Sequence, residues 1–171
     1  MYITAFELLK DSIISHPKTL FTNGFNSDGL IIDKNYQKKV LSRNKSPLYA
    51  SLDWFKEMET ITDHDIVIFN KLKEYRNTLS HELANSIFQG IDEDKYYELF
   101  TEMIDLFERI DKWWILNFEL AINTDIDMDQ IDEDSVQSGP AYMLKVMLNI
   151  VFADDEEEAW KYYNALINES K

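Results

Sequence analysis

The chain has 171 residues, 45% of them hydrophobic and 13% aromatic, a composition that suits one domain with its own core and lies well outside that of disordered chains. It has no cysteine, which excludes disulfides, thiolate chemistry and a Cys-based zinc site. The net charge of −15 argues against a broad basic surface for nucleic acid, so any binding of a polyanion must concentrate the chain's few positive charges in one place. An acidic surface equally suits a protein-binding domain or one that attracts a basic partner. Four Gly and three Pro are few for a sandwich or barrel and natural for a helical bundle.

The opening segment, MYITAFELLKDSII, carries Glu7 and Asp11 within its apolar run and has no basic n-region, so it does not read as a signal peptide. No apolar stretch approaches the length of a membrane span, and the expectation is a cytoplasmic protein. Residues 2–15 read as a first amphipathic helix, with Ile3, Phe6, Leu9 and Ile13 on one side. His16-Pro17 is expected to end it, which makes His16 a loop or terminus residue without a catalytic role. Residues 18–33 contain the turn signals Asn23-Gly24 and Asp28-Gly29. The short apolar pieces at 19–21 and 30–32 either pair as a small hairpin or belong to a structured loop.

Residues 34–45 are the basic stretch, with Lys34, Lys38, Lys39, Arg43 and Lys45. Two readings stand: a solvated helix face or connector, or a segment that folds over a site elsewhere and supplies phosphate contacts. Ser46-Pro47 then opens a helix over 47–61, with Leu48, Leu52 and Phe55 towards the core. His64 reads as a surface residue.

Residues 65–88, DIVIFNKLKEYRNTLSHELANSIF, are predicted to form the central helix. Ile66, Phe69, Leu72, Leu79, Leu83 and Ile87 make one stripe, stepping by three or four once Arg76 is counted in. Thr62 or Asp63 can cap its start, and Gly90 lies just past its end. Arg76 falls on that stripe, where a charge is costly unless it is paired or faces a cleft. Asn77 and His81 are four apart and stack on its flank, with Glu74 and Asn70 beside them. A guanidinium stays charged, a histidine titrates near neutral pH, and both can hydrogen-bond a phosphate.

After Gly90 a long helix is expected over about 92–123. Tyr96, Phe100, Met103, Phe107, Ile110 and Trp114 step along a heptad-like seam. Roughly thirty residues at about 1.5 Å each exceed 40 Å, so this helix either breaks or forms much of an interface. Trp113, Trp114 and Phe118 read as core or dimer contacts. The acidic run 124–135 places Asp125, Asp127 and Asp129 at alternate positions, as a calcium loop would. Gln130 and Val136 stand where that loop needs Gly and a bidentate Glu, so the run reads as a solvated linker. The three His are scattered without metal-ligand spacing, and no metal or other cofactor is expected. Residues 141–152 form a buried helix or, less favoured, a strand. A last helix, about 154–169, begins with five acidic residues at its positive end and offers Trp160, Tyr163 and Ile167 as a face to bury.

The pattern is thus all-α, a single domain of five to six helices with no internal repeat. The segment Arg76-Asn77-Thr78-Leu79-Ser80-His81 resembles the R-x4–6-H motif of the HEPN superfamily, small all-helical domains that carry this motif on a central helix, commonly with a polar residue after the Arg. The resemblance is confined to this helix and the helical pattern. It implies metal-independent RNA cleavage, in which a 2′-hydroxyl attacks the adjacent phosphorus and leaves a cyclic phosphate and a 5′-hydroxyl. His81 would move a proton, Arg76 would stabilise charge on the phosphoryl oxygens, and Asn77 would orient either group. Lys73, Lys38, Lys39 and Arg43 are the candidate substrate contacts. The resemblance further implies a homodimer, each copy contributing its motif to the site, and a toxin or phage-defence role under the control of an antitoxin or regulatory protein. The alternative is a non-catalytic module of the same fold that binds a protein partner or nucleotide.

Overall fold

The first helix, α1 (Tyr2–Leu20), buries Tyr2, Ala5, Phe6, Leu9, Ile13 and Pro17, a spacing of three and four throughout. In the computed structural model, which describes residues 1–81, 90–123, 127 and 131–169, α1 does not stop at His16-Pro17. Pro17 lies inside the helix, and burial of its ring offsets the hydrogen bond that its missing N–H denies to Ile13. His16 therefore sits on a helix and not in a loop.

Two short strands follow, β1 (Thr22–Asn26) and β2 (Gly29–Ile32), paired antiparallel with Phe25 opposite Leu30 and Asn26 opposite Gly29. The loop between them is Ser27-Asp28. Asn26 accepts the Asp28 N–H at 2.9 Å, and Gly29 takes φ 117°, a backbone that side chains disfavour. The segment is thus a hairpin, displaced from the 19–21 piece to strand 22–26. A short helix α2 (Lys34–Lys39), capped by the Asp33 carboxylate, and one turn of 3-10 helix at Leu41–Arg43 lead to α3 (Pro47–Glu57). The helix α3 ends before 61 because Glu59 adopts φ 57° and turns the chain. It buries Trp54 beside Leu52 and Phe55.

Helix α4 (Asp63–His81) packs against α1 and against α5 (Glu93–Trp114). Leu83, Ile87 and the expected end of the central helix lie outside the described residues. All six residues of the 96–114 seam are buried. Beyond Trp114 the helix widens into a π turn at Ile115–Glu119 and stops, which accounts for its being shorter than the expected 92–123. Ser138 caps α6 (Gly139–Val151), whose Pro140 sits in the first turn. The last helix, α7 (Glu156–Glu169), lies on α6 through its half-buried Ala159, Tyr162 and Leu166 side. Trp160, Tyr163 and Ile167, the face expected to be buried, are exposed.

The architecture is an all-α bundle with one small hairpin. Its core joins Tyr2, Phe6, Phe55, Phe69, Phe100 and Phe107 into one cluster. Among the described residues no helix is long and apolar enough to cross a membrane.

The start of α4 shows how a buried charge is accommodated. Asp65 is 2% exposed. One carboxylate oxygen accepts the Thr62 N–H at 2.7 Å and the Thr62 hydroxyl at 2.8 Å, and the other accepts Arg109 at 2.6 Å. Burial pushes the Asp65 carboxyl up, but the Thr62 bonds and Arg109 outweigh it and hold the group below its ordinary range. A carboxyl depressed in the folded state stabilises the fold above the unfolded aspartate value, and that stability is lost as pH falls through the folded value. Asp65→Asn is expected to lower stability by about 1–2 kcal/mol near neutral pH. The gap from wild type should close below about pH 4, as followed by thermal melts across pH. A gap that stays constant down to acid pH contradicts this reading of Asp65.

Candidate functional site

The central helix presents its chemistry at the corner where α1, α3 and α4 meet. Tyr75, not Arg76, takes the core position in that turn and is 9% exposed. Arg76 is displaced to the edge, where its side chain is 31% exposed. Its Nη2 donates to Glu7 Oε1 at 2.6 Å across to α1, and its Nη1 donates to Asn77 Oδ1 at 3.3 Å. The Arg76 Nε is buried and has no partner among the described residues. Glu7 also receives Lys10, so two cations share one carboxylate. The Lys10 ammonium first, and the Arg76 guanidinium with it, hold the Glu7 carboxyl below its ordinary range.

A second polar group adjoins on the same helix. Asn70, Lys73 and Asn77 are three and four apart, and so share a face. Asn70 Oδ1 accepts the Tyr49 hydroxyl of α3 at 2.7 Å. Lys73 Nζ donates to that hydroxyl at 3.3 Å, with the ammonium 5.1 Å from the centre of the Tyr49 ring. The corner is fixed from below by aromatic packing: Tyr49 meets Phe69 edge-on at 6.3 Å, and Phe69 stacks on Phe6 at 5.5 Å. Lys10, Lys73 and Arg76 against the single carboxylate of Glu7 give these side chains a positive balance inside a chain of −15.

His81 is exposed on the last described turn of α4, one turn beyond Asn77. It lies five positions beyond Arg76, roughly 7.5 Å along the axis. Arg76, Asn77, Lys73 and His81 thus share one helix, as the sequence requires. Lys38, Lys39 and Arg43 do not join them. Tyr36 of α2 packs on Phe21, just past the far end of α1, roughly 20 Å along that helix from Glu7. Arg43 is bound by Asp53 and Glu57 of α3. The basic stretch therefore does not fold over Arg76.

Comparison of the chain with protein-family models, curated proteins and solved structures returns no match. The function has to be read from the side chains themselves.

One further constellation contains the residue types of a catalytic triad. Asp111 lies between His16 and Ser138: His16 Nε2 is 2.8 Å from one carboxylate oxygen, and the Ser138 hydroxyl donates to the other at 2.8 Å. A nucleophilic serine needs the histidine as its base, with the carboxylate behind the histidine. Here the serine contacts the carboxylate directly, is 1% exposed, and accepts the Ala141 N–H as the cap of α6. His16 stacks flat on Trp114 at 4.6 Å. This is a polar clasp tying α1, α5 and α6 together.

Among the described residues no group of three or more His, Asp and Glu side chains is placed to hold a metal ion. Of the acidic run, 124–126 and 128–130 lie outside the described residues, and Asp132 caps a 3-10 turn at Glu133–Ser135. Sequence reasoning overlooked Glu7, Lys10 and Tyr49 as members of the corner. Only Lys10's place just off the apolar face of α1 hinted at a neighbour.

Proposed function

We propose that this chain is a metal-independent endoribonuclease of HEPN type, acting through Arg76 and His81 in a toxin or defence setting. The observation that carries the reading is the positioned Arg76. Its guanidinium is oriented by Glu7 and Asn77 at a partly open edge, with an exposed His81 further along the same helix. Arg76 would stabilise charge on the phosphoryl oxygens, and His81 would transfer the proton. Asn77 orients the guanidinium. Lys73, held over Tyr49, contributes positive charge on the same helix. The test is RNA cleavage in chelator, with and without Arg76→Ala and His81→Ala.

One histidine supplies one acid–base group, whereas attack by the 2′-hydroxyl and departure of the 5′-oxygen call for two. A symmetric homodimer that brings two α4 helices together supplies the second. Light scattering at high protein concentration is expected to give twice the 20.3 kDa chain mass. A monomer at every concentration contradicts the shared site.

The Glu7–Arg76 pair also favours a second reading, in which Arg76 is only a core-edge charge neutralised by a neighbouring helix and the chain is a non-catalytic interaction module. An inert wild type on every RNA tried supports that reading.

A further inference from the structure

Residues 18–45 hold six Lys and Arg against two Asp, while the remainder holds eleven against thirty Asp and Glu. Lys18, Lys34, Lys38, Lys39 and Lys45 are all exposed, and among the described residues none enters an ion pair. The segment is joined into one lobe. The Asp33 N–H donates to the Phe21 carbonyl at 2.7 Å, and the Asn23 amide donates to Asp33 at 3.2 Å, fastening the hairpin base to the end of α1 and the start of α2. Above this base the hairpin exposes Phe25 at 83%, with Leu30 at 56% directly opposite it on the paired strand. Cross-strand partners share a face, so Phe25 and Leu30 form one apolar pair.

We propose that the hairpin and α2 form a holding site for single-stranded RNA, remote from Arg76 and His81. Phe25 is the platform on which a base stacks, and the lysines contact phosphates. Aromatic platforms edged by cations bind single strands without sequence readout, because every base has a flat face and every nucleotide a charge. The proposal rests on the ribonuclease reading for the identity of its ligand. It also answers a difficulty of that reading: a chain of −15 repels RNA unless its free cations are gathered, and this lobe gathers five of them.

Two other occupants fit less well. A membrane surface would meet the Ser27-Asp28 loop first, and Asp28 would carry a charge towards the lipid ahead of Phe25. A protein partner needs a contiguous face, with an interface of about 1,000 Å² or more. Ile31 follows Leu30 along β2 and points to the opposite side of the ribbon, which divides the exposed apolar groups between two faces.

The test uses His81→Ala chain, so that RNA survives, and a fluorescent uridine oligonucleotide of about twelve residues, titrated by anisotropy at several salt concentrations. Lys34→Gln/Lys38→Gln/Lys39→Gln together are expected to weaken binding and reduce the log–log salt slope by about 2. Phe25→Ala is expected to weaken binding about tenfold with the slope unchanged. Lys145→Gln, on α6, should change nothing. Circular dichroism checks that each variant is folded. No RNA binding by the parent, or unchanged binding by the lysine and Phe25 variants, overturns the proposal. So does binding of the parent to phosphatidylserine vesicles that the lysine and Phe25 variants lose while their RNA binding stays intact. Binding without cleavage by wild type leaves the holding site standing and removes the ribonuclease reading. Cleavage with a KM that Phe25→Ala does not raise does the reverse.

Discussion

His81→Ala is expected to slow RNA cleavage by about 10²–10⁴, the usual cost of removing a general acid–base group. The loss should appear in kcat, because His81 is exposed at the end of the described α4 and makes no packing contribution to the core. Arg76→Ala should be comparably severe, since preorganised charge at a developing oxyanion is worth a similar amount. Arg76→Lys separates charge from geometry. A lysine keeps the positive charge but cannot bridge Glu7 and Asn77 with one planar group, so it should recover little of the lost rate. His64→Ala is expected to leave activity intact, because His64 is an exposed residue in the first turn of α4, at the opposite end from His81. Survival of activity in both Arg76→Ala and His81→Ala assigns the chemistry to other residues.

Asp111→Ala is expected to have the largest effect on stability outside the aromatic core. Removing its carboxylate leaves the buried Ser138 hydroxyl without its acceptor and His16 without its partner, at a cost of about 3 kcal/mol in total. For a chain of this length that corresponds to a fall of roughly 6–12 °C in Tm. Asp111→Asn keeps one acceptor oxygen and should lose less. Cleavage per folded molecule should be unchanged in both variants, because the clasp joins helices and does not face the Arg76 corner. Calorimetry with activity normalised to folded protein checks both halves. Loss of activity at unchanged Tm contradicts the structural role.

The helical elements were legible where periodicity was strong. The seam from Tyr96 to Trp114 steps by three and four without interruption, and every member is buried. Periodicity misled where one residue could satisfy two demands. Arg76 fits the apolar stripe of the central helix by spacing, yet Tyr75 buries more apolar surface at lower desolvation cost and takes the core position. Pro17 was misread because a local rule, that proline ends helices, was overridden by burial of its ring. Trp160, Tyr163 and Ile167 have helical spacing, but among the described residues α7 packs chiefly on α6 and turns its Ala159–Leu166 side inward. The Arg76–Glu7 pair, the Tyr49–Asn70 bond and the His16–Asp111–Ser138 clasp join residues 69, 21, 95 and 27 positions apart. No local pattern encodes such pairings, so of the corner's side chains only those on α4 could be read in advance.

The chemistry of the RNA ends tests the central claim most directly. Purified chain is incubated with mixed RNA in excess chelator, and the termini of the products are identified by mass spectrometry and by their acceptance in phosphatase and kinase reactions. Cleavage through the 2′-hydroxyl predicts a 2′,3′-cyclic phosphate on one side and a 5′-hydroxyl on the other, in wild type but in neither Arg76→Ala nor His81→Ala. Products with 5′-phosphates and 3′-hydroxyls, or cleavage that chelator abolishes, contradict the account.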